Sequence, residues 1–151
     1  MLQLKKTTFE DEYWPAIRQI RDLVFIEEQE VSPEEEFDEF EPSSRHFIAL
    51  MNGRPAGTAR WRLTEKGIKL ERFAVLKEYR KFGVGMALVK QVLADVLAEI
   101  PEPKLIYLHA QSHAIPFYEK CGFAAFGEVF SEANILHRKM YHPGFSTSSV
   151  N

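Results

Sequence analysis

The sequence predicts an α/β (α+β) domain built on one mixed, mostly antiparallel central sheet flanked by helices. Three observations carry this expectation. Strand-like segments separated by turn signals fill residues 46–76. A long helical repeat of apolar residues follows over 84–100 and is closed by Pro101 and Pro103. The chain has 151 residues, 45% of them hydrophobic, which is enough for one core with helices packed on a sheet.

Each element has its own local reason. Leu2 and Leu4 alternate with polar neighbours and open a strand. Trp14, Ile17, Ile20, Val24 and Phe25 recur at helical spacing, with Asp11 placed to cap them. Residues 27–41 then hold nine carboxylates and no Lys or Arg. Residues 46–51 read as a strand, Asn52-Gly53 as a hairpin turn, and residues 56–63 as the return. A further strand over 68–76 follows Lys66-Gly67. Leu105 to Leu108 is a short buried strand, and 113–121 a second helix ended by Gly122. Two last strands fall near 123–128 and 135–141. Residues 1–142 are expected to form the single domain, and the small polar residues 143–151 a fraying tail.

Bulk properties narrow the function. A formal net charge of -3 gives no basic field for nucleic acid. The start of the chain lacks a signal-peptide pattern, and no run is long enough to span a membrane. One cysteine excludes an intramolecular disulfide and fits a reducing compartment, so a cytoplasmic location is expected. Cys121 falls near a helix C-terminus, where the dipole disfavours a thiolate, so it reads as a packing residue. The five histidines lack zinc-ligand spacing, and no metal is expected.

The most informative segment is Arg80-Lys81-Phe82-Gly83-Val84-Gly85, between a strand and the long helix. Two glycines let backbone N–H groups approach a ligand. The helix start adds free donors and a positive dipole end, and Arg80 and Lys81 add charge. That combination suits a pyrophosphate, though a tight structural turn uses the same residues. No Gly-Lys-Ser/Thr follows, so it is not a Walker loop.

This loop resembles the Arg/Gln-x-x-Gly-x-Gly/Ala pyrophosphate loop of the GNAT superfamily of N-acetyltransferases. Gln111-Ser112-His113-Ala114-Ile115-Pro116-Phe117-Tyr118-Glu119-Lys120-Cys121-Gly122-Phe123 resembles the second motif of that family. Residues 25–29, 109–111 and 135–137 are similar to its small single-domain bacterial ElaA-like branch. The resemblance implies acetyl-CoA as cosubstrate and transfer to an amine by direct attack. It implies that amides of Arg80, Lys81, Phe82, Gly83, Val84 and Gly85 hold the pyrophosphate. Main-chain groups of Phe73, Ala74 and Val75 would pair with the pantetheine arm. Phe117 and Gln111 belong to the second motif, with Gln111 standing where the family usually has Asn. A homodimer is consistent with the resemblance.

Catalysis needs an acid for the departing thiolate and a base for the amine. Tyr118 is the acid by resemblance, and a phenol is protonated at neutral pH. It also reads as an aromatic that packs the core or the cofactor. For the base, strict alternation places Glu71 on one face with Phe73 and Val75, where desolvation would raise its pKa. Glu71 reads equally well as an ion-pair partner of Arg60 or Arg62. His137 is the alternative base, and His109 has the same ambiguity with sheet packing. The acidic run reads first as a solvated segment and second as an attractor for a cationic amine, with Glu27 and Glu28 the residues to watch. A small-molecule acceptor is expected. A protein lysine or N-terminal amine as acceptor, and an acyl-CoA-binding regulatory module, are the competing readings.

Overall fold

The computed structural model describes residues 1–103 and 105–142; the predicted tail over 143–151 lies outside them. Seven strands form one sheet: β1 (Leu2–Thr7), β2 (Arg45–Met51), β3 (Arg54–Leu63), β4 (Ile68–Val75), β5 (Ile106–Gln111), β6 (Ala124–Glu132) and β7 (Ile135–Tyr141). Their order is β1-β2-β3-β4-β5-β7-β6, and β4–β5 is the parallel pair among antiparallel neighbours. Asn52 and Gly53 both adopt positive φ at the β2–β3 turn, the backbone that a two-residue hairpin turn requires. Ala133 and Asn134 do the same between β6 and β7, so β6 runs on to Glu132 rather than ending near 128.

Helices cover both faces. Helix α1 (Trp14–Arg21) passes into a π-helical segment, Asp22–Glu28, and then into the short α2 (Pro33–Glu36). The Asp11 carboxylate accepts from the Tyr13 amide at 2.9 Å at the entrance to α1. Helix α3 (Val84–Glu99) buries Val84, Leu88, Val92 and Val96 against Trp61, Leu70, Ile106, Leu108 and Met140. Each such side chain contributes about 1.5–3 kcal/mol of transfer free energy. A 3₁₀ turn and α4 (Ile115–Lys120) pack beside α3, in place of one helix over 113–121. On the opposite face Ile17 packs on Ile48 and Leu50, while Ile20, Val24, Phe25 and Val31 gather around Ala74. No helix among the described residues is long and apolar enough to cross a membrane.

One irregularity decides where the side chains of β4 point. Arg60 is opposite Glu71 and Thr58 opposite Ala74, so β4 carries an extra residue and the register shifts. Arg72 sits in this bulge at φ 60. Strict alternation therefore fails. Glu71 shares its face with Arg60, Arg62 and Lys69, while Phe73 and Val75 turn to the α3 side with Leu70. The expectation that Glu71 lies among Phe73 and Val75 is corrected by this bulge. The left-handed backbone at a non-glycine costs about 1–2 kcal/mol. It is held because the Arg72 guanidinium donates to the Glu36 carbonyl at 3.1 Å and to Asp38 at 3.3 Å.

A buried ion network fixes the acidic segment to the sheet. Arg21 donates to Glu36 at 2.6 Å and to both oxygens of Glu41 at 2.9 and 2.8 Å. Arg60, 0% exposed, donates to Asp38 at 3.0 and 2.8 Å, to Glu41 at 2.7 Å and to Glu71 at 3.0 Å. Glu36 and Glu41 are buried at 2% and 4% exposure, against the solvated segment the composition suggested, while Glu27, Glu28, Glu30, Glu34, Glu35 and Glu39 are exposed as expected. Removing one member leaves buried carboxylates uncompensated. Arg60→Met is expected to lower unfolding free energy by about 3–5 kcal/mol in urea titrations. A loss below about 1 kcal/mol would show that the carboxylates do not depend on this guanidinium.

Candidate functional site

Strands β4 and β5 pair only at Ile68–Ile106, Lys69–Tyr107 and Leu70–Leu108. Beyond the bulge they part, and the edge of β4 over 71–75 faces a cleft of about 340 Å³. Alternation on β5 buries Ile106, Leu108 and Ala110 and turns Tyr107, His109 and Gln111 to the other side of the sheet. The cleft is closed by Phe25, Gln29 and Val31 from the region of the π-helix, by α4, and by the β6–β7 hairpin.

The glycine loop lies at the end of β4. Gly83 is the N-cap of α3 at φ 79, and Lys81 is also left-handed at φ 75. A Cβ built on Gly83 meets nothing within 4 Å, so the space above this peptide is open. The Ala87 amide is the first to find an acceptor at the helix start, on Gly83 O at 3.1 Å. Among the described residues the amides of Lys81 to Met86 have no backbone acceptor, which leaves a cluster of donors at a helix N-terminus. Gly85 serves packing instead, because a Cβ there would lie 3.2 Å from the Phe117 ring. Arg80 is not free: it donates to Val75 O at 2.9 Å and to both oxygens of Glu28 at 3.1 and 2.8 Å. Lys81 and Phe82 are exposed.

Tyr118 is on α4, in edge contact with Phe73, Phe117 and Phe123. Its ring lines the cleft, and its hydroxyl has no hydrogen-bond partner among the described residues. Burial, with a smaller push from Cys121, raises the phenol above its ordinary range, so the hydroxyl keeps its proton.

Glu71 is at the base of the cleft. Burial pushes its carboxyl up, but Arg60, Lys69, Arg72 and a hydrogen bond from Arg62 outweigh this and hold it at about 2. Of the alternatives open in the sequence, the arrangement here is the ion pair, and the raised pKa expected from desolvation is not found.

Sequence reading alone missed Glu132. It reaches the cleft from the end of β6, where His109 Nδ1–H donates to its Oε1 at 3.1 Å. That bond outweighs partial burial and keeps the Glu132 carboxyl below the usual range. His137 is 6% exposed and stacks on Phe130. Its Nδ1–H donates to Ile135 O at 2.7 Å, and its Nε2 lies 3.8 Å from Glu132 Oε2. Gln111 Nε2 donates to Gln29 Oε1 at 2.7 Å and ties β5 to the π-helical wall. Glu27 and Glu28 do not line the cleft: Glu27 is exposed beside it, and Glu28 holds Arg80. Among the described residues no three His, Cys, Asp or Glu side chains are grouped to hold a metal.

Known proteins share this architecture. Residues 21–142 match the acetyltransferase (GNAT) domain model. An uncharacterized N-acetyltransferase of Bacillus subtilis, YjcF, is 39% identical over 122 residues, covering 80% of this chain and 86% of its own. The crystal structure of Escherichia coli ElaA superposes with a TM-score of 0.83 at 25% identity, covering 94% of this chain and 99% of ElaA. A Bacillus subtilis acetyltransferase solved with CoA superposes with a TM-score of 0.67 at 18% identity, covering 93% of this chain and 97% of its own, and shows the fold alone. A domain match over most of the chain, together with the parted β4 and β5 strands, means that the chain belongs to the GNAT acetyltransferase family.

Proposed function

We propose that the protein transfers an acetyl group from acetyl-CoA to the amine of a small molecule by direct attack in a ternary complex. The observation that carries this is one continuous path. The open amide cluster around Gly83 leads along the unpaired edge of β4 over 73–75 to the cleft that Tyr118 lines. A helix N-terminus suits a pyrophosphate, and an unpaired strand edge suits an amide-bearing arm. Bound acetyl-CoA would supply the activated thioester. Its pyrophosphate would be held by the amides of residues 81–85, the Arg80 amide expected among them being spent on Lys77 O at 3.3 Å, and its arm by main-chain groups of Phe73, Ala74 and Val75, with Phe117 and Gln111 flanking it.

His137 Nε2 takes a proton from the acceptor nitrogen, and Glu132 stabilises the imidazolium that forms. The nitrogen–carbon bond forms as the carbon–sulfur bond breaks. Tyr118 gives its proton to the sulfur and is reprotonated from solvent. Starting from an ammonium, one proton ends on sulfur and one in solvent. Glu71, held at about 2 by its cations, is a poor proton acceptor and serves to anchor them. A cleft of about 340 Å³ suits a small acceptor.

Three outcomes are expected. Gly83→Asp should weaken acetyl-CoA binding about tenfold or more in calorimetry, with Gly83→Asn losing much less, because charge rather than bulk is the obstacle. Equal affinity of Gly83→Asp and the parent would remove the pyrophosphate assignment. Tyr118→Phe should lower kcat about 100-fold while acetyl-CoA affinity holds; unaltered turnover would require another acid. His137→Asn should lower kcat far more than Glu71→Gln. Glu71→Gln should act mainly on stability. The depressed pKa of Glu71 stabilises the fold above about 4.5, and this is lost as pH falls toward about 2, so the variant should show a shallower acid limb in pH-dependent unfolding. A larger kcat loss in Glu71→Gln would return the base to Glu71.

A further inference from the structure

The cleft is bipolar. On the β3–β4 side the buried network sets five cations, Arg21, Arg60, Arg62, Lys69 and Arg72, against four carboxylates. Glu35, which also lines the cleft and whose carboxylate is bonded only by Ser32 among the described residues, brings a fifth carboxylate, so this side is balanced in charge; what faces the cleft is the unfilled donors of its cations. Arg62 uses Nε on Glu71 and rests its guanidinium on the Phe40 ring at 3.8 Å, while its Nη atoms have no acceptor among the described residues. Lys69 Nζ has its nearest carboxylate oxygen at 3.6 Å, beyond a hydrogen bond. Their side chains are 14% and 15% exposed, so they are reachable but largely desolvated. Arg72 is more fully engaged: its Nε and Nη2 donate to carbonyls of α2 and to Asp38, while its Nη1 has Glu71 Oε2 at 3.7 Å.

The opposite wall offers the reverse, an unfilled acceptor. Glu132 gives one oxygen to His109 and turns the other toward His137 Nε2 at 3.8 Å, with no donor on it among the described residues. A cation placed there would meet a carboxylate beside the lone pair of the proposed base. A monocationic amine would satisfy this wall and leave Arg62 and Lys69 facing an empty cleft. A diamine would put its second charge against them.

We propose that the acceptor is a zwitterion, a free α-amino acid. Arg62 and Lys69 read its carboxylate, and its ammonium lies between Glu132 and His137. This rests on the acetyltransferase reading above and names the substrate class of that same cleft. The carboxylate is recognised by charge-assisted hydrogen bonds from two largely desolvated cations.

The test is acetyl-CoA-dependent thiol release with the proteinogenic L-amino acids, each set against its decarboxylated amine, such as histidine with histamine and tyrosine with tyramine. At least one amino acid should exceed its amine by about tenfold or more in kcat/KM. The double variant Arg62→Gln, Lys69→Gln should bring that ratio close to one, and Arg62→Lys, which keeps the charge, should preserve most of it. Thermal unfolding of each variant, and the ratio in the unaltered protein, keep the test independent of folding. Amines turned over as well as or better than their amino acids would overturn the proposal. So would the absence of turnover with every amino acid while acetyl-CoA still binds, which would leave the donor reading standing. Failure to bind acetyl-CoA would instead remove the acetyltransferase reading itself.

Discussion

The Arg60 guanidinium is the contact on which the site depends. It is fully buried, and through Asp38, Glu41 and Glu71 it joins the loop after α2 to the β-strand that carries the bulge. Among the described residues its Nε has no partner, so its five donors are not all satisfied there. A buried charge of this kind is seldom a net source of stability, because desolvation offsets much of the attraction. What it supplies is position. Carboxylates from one segment and cations from β3 and β4 can be neutral together only in one register. That register places Glu71 opposite Arg60 and leaves the extra residue at Arg72.

The bulge then sets the chemistry. A β4 of strict alternation would carry Glu71, Phe73 and Val75 on one face, and its pairing with β5 could continue. With the extra residue, β4 leaves β5 after Leu70 and its edge is freed. Phe73 comes to the side of Tyr118, with ring centroids 6.0 Å apart, while Glu71 stays on the side of Lys69 and Arg62. Tyr118, the proposed proton donor, and the charged groups around Glu71 therefore lie on different faces of β4 while both line the cleft.

Much of this was legible in the sequence, and the exceptions share a cause. The glycine loop, the Asn52-Gly53 turn and the α3 repeat are local signals, and they appear where the sequence placed them. Gly83 requires its left-handed backbone at φ 79, and Asn52-Gly53 requires its turn. Periodicity of 2 could not anticipate the bulge at Arg72, because a residue other than glycine is held there by contacts from Glu36 and Asp38, more than thirty residues away in the chain. Glu132 carried no motif. Its one signal was the Asn134 turn beside it, which extends β6 far enough to bring that carboxylate over β5 and β7. The helix after Trp14 was read with a single period, whereas its second half is π-helical and turns both Phe25 and Gln29 to the cleft.

The acidic run carries the broader physical point. Nine carboxylates without a neighbouring cation in sequence look like a negative surface, but charge in sequence is not charge in space. Glu36, Asp38 and Glu41 are neutralised by arginines from α1, β3 and β4. Glu28 is taken by Arg80 in a two-point contact that bridges the π-helical wall of the cleft and the loop before α3. That pair is about two-fifths exposed, so its energy is small, yet its geometry is specific. It holds the arginine side chain away from the open amides at Gly83, so those amides, with Lys81 beside them, are left as the positive pole of the loop. The cleft carboxylate that the composition did not advertise is Glu132, on the β6–β7 hairpin and held by His109.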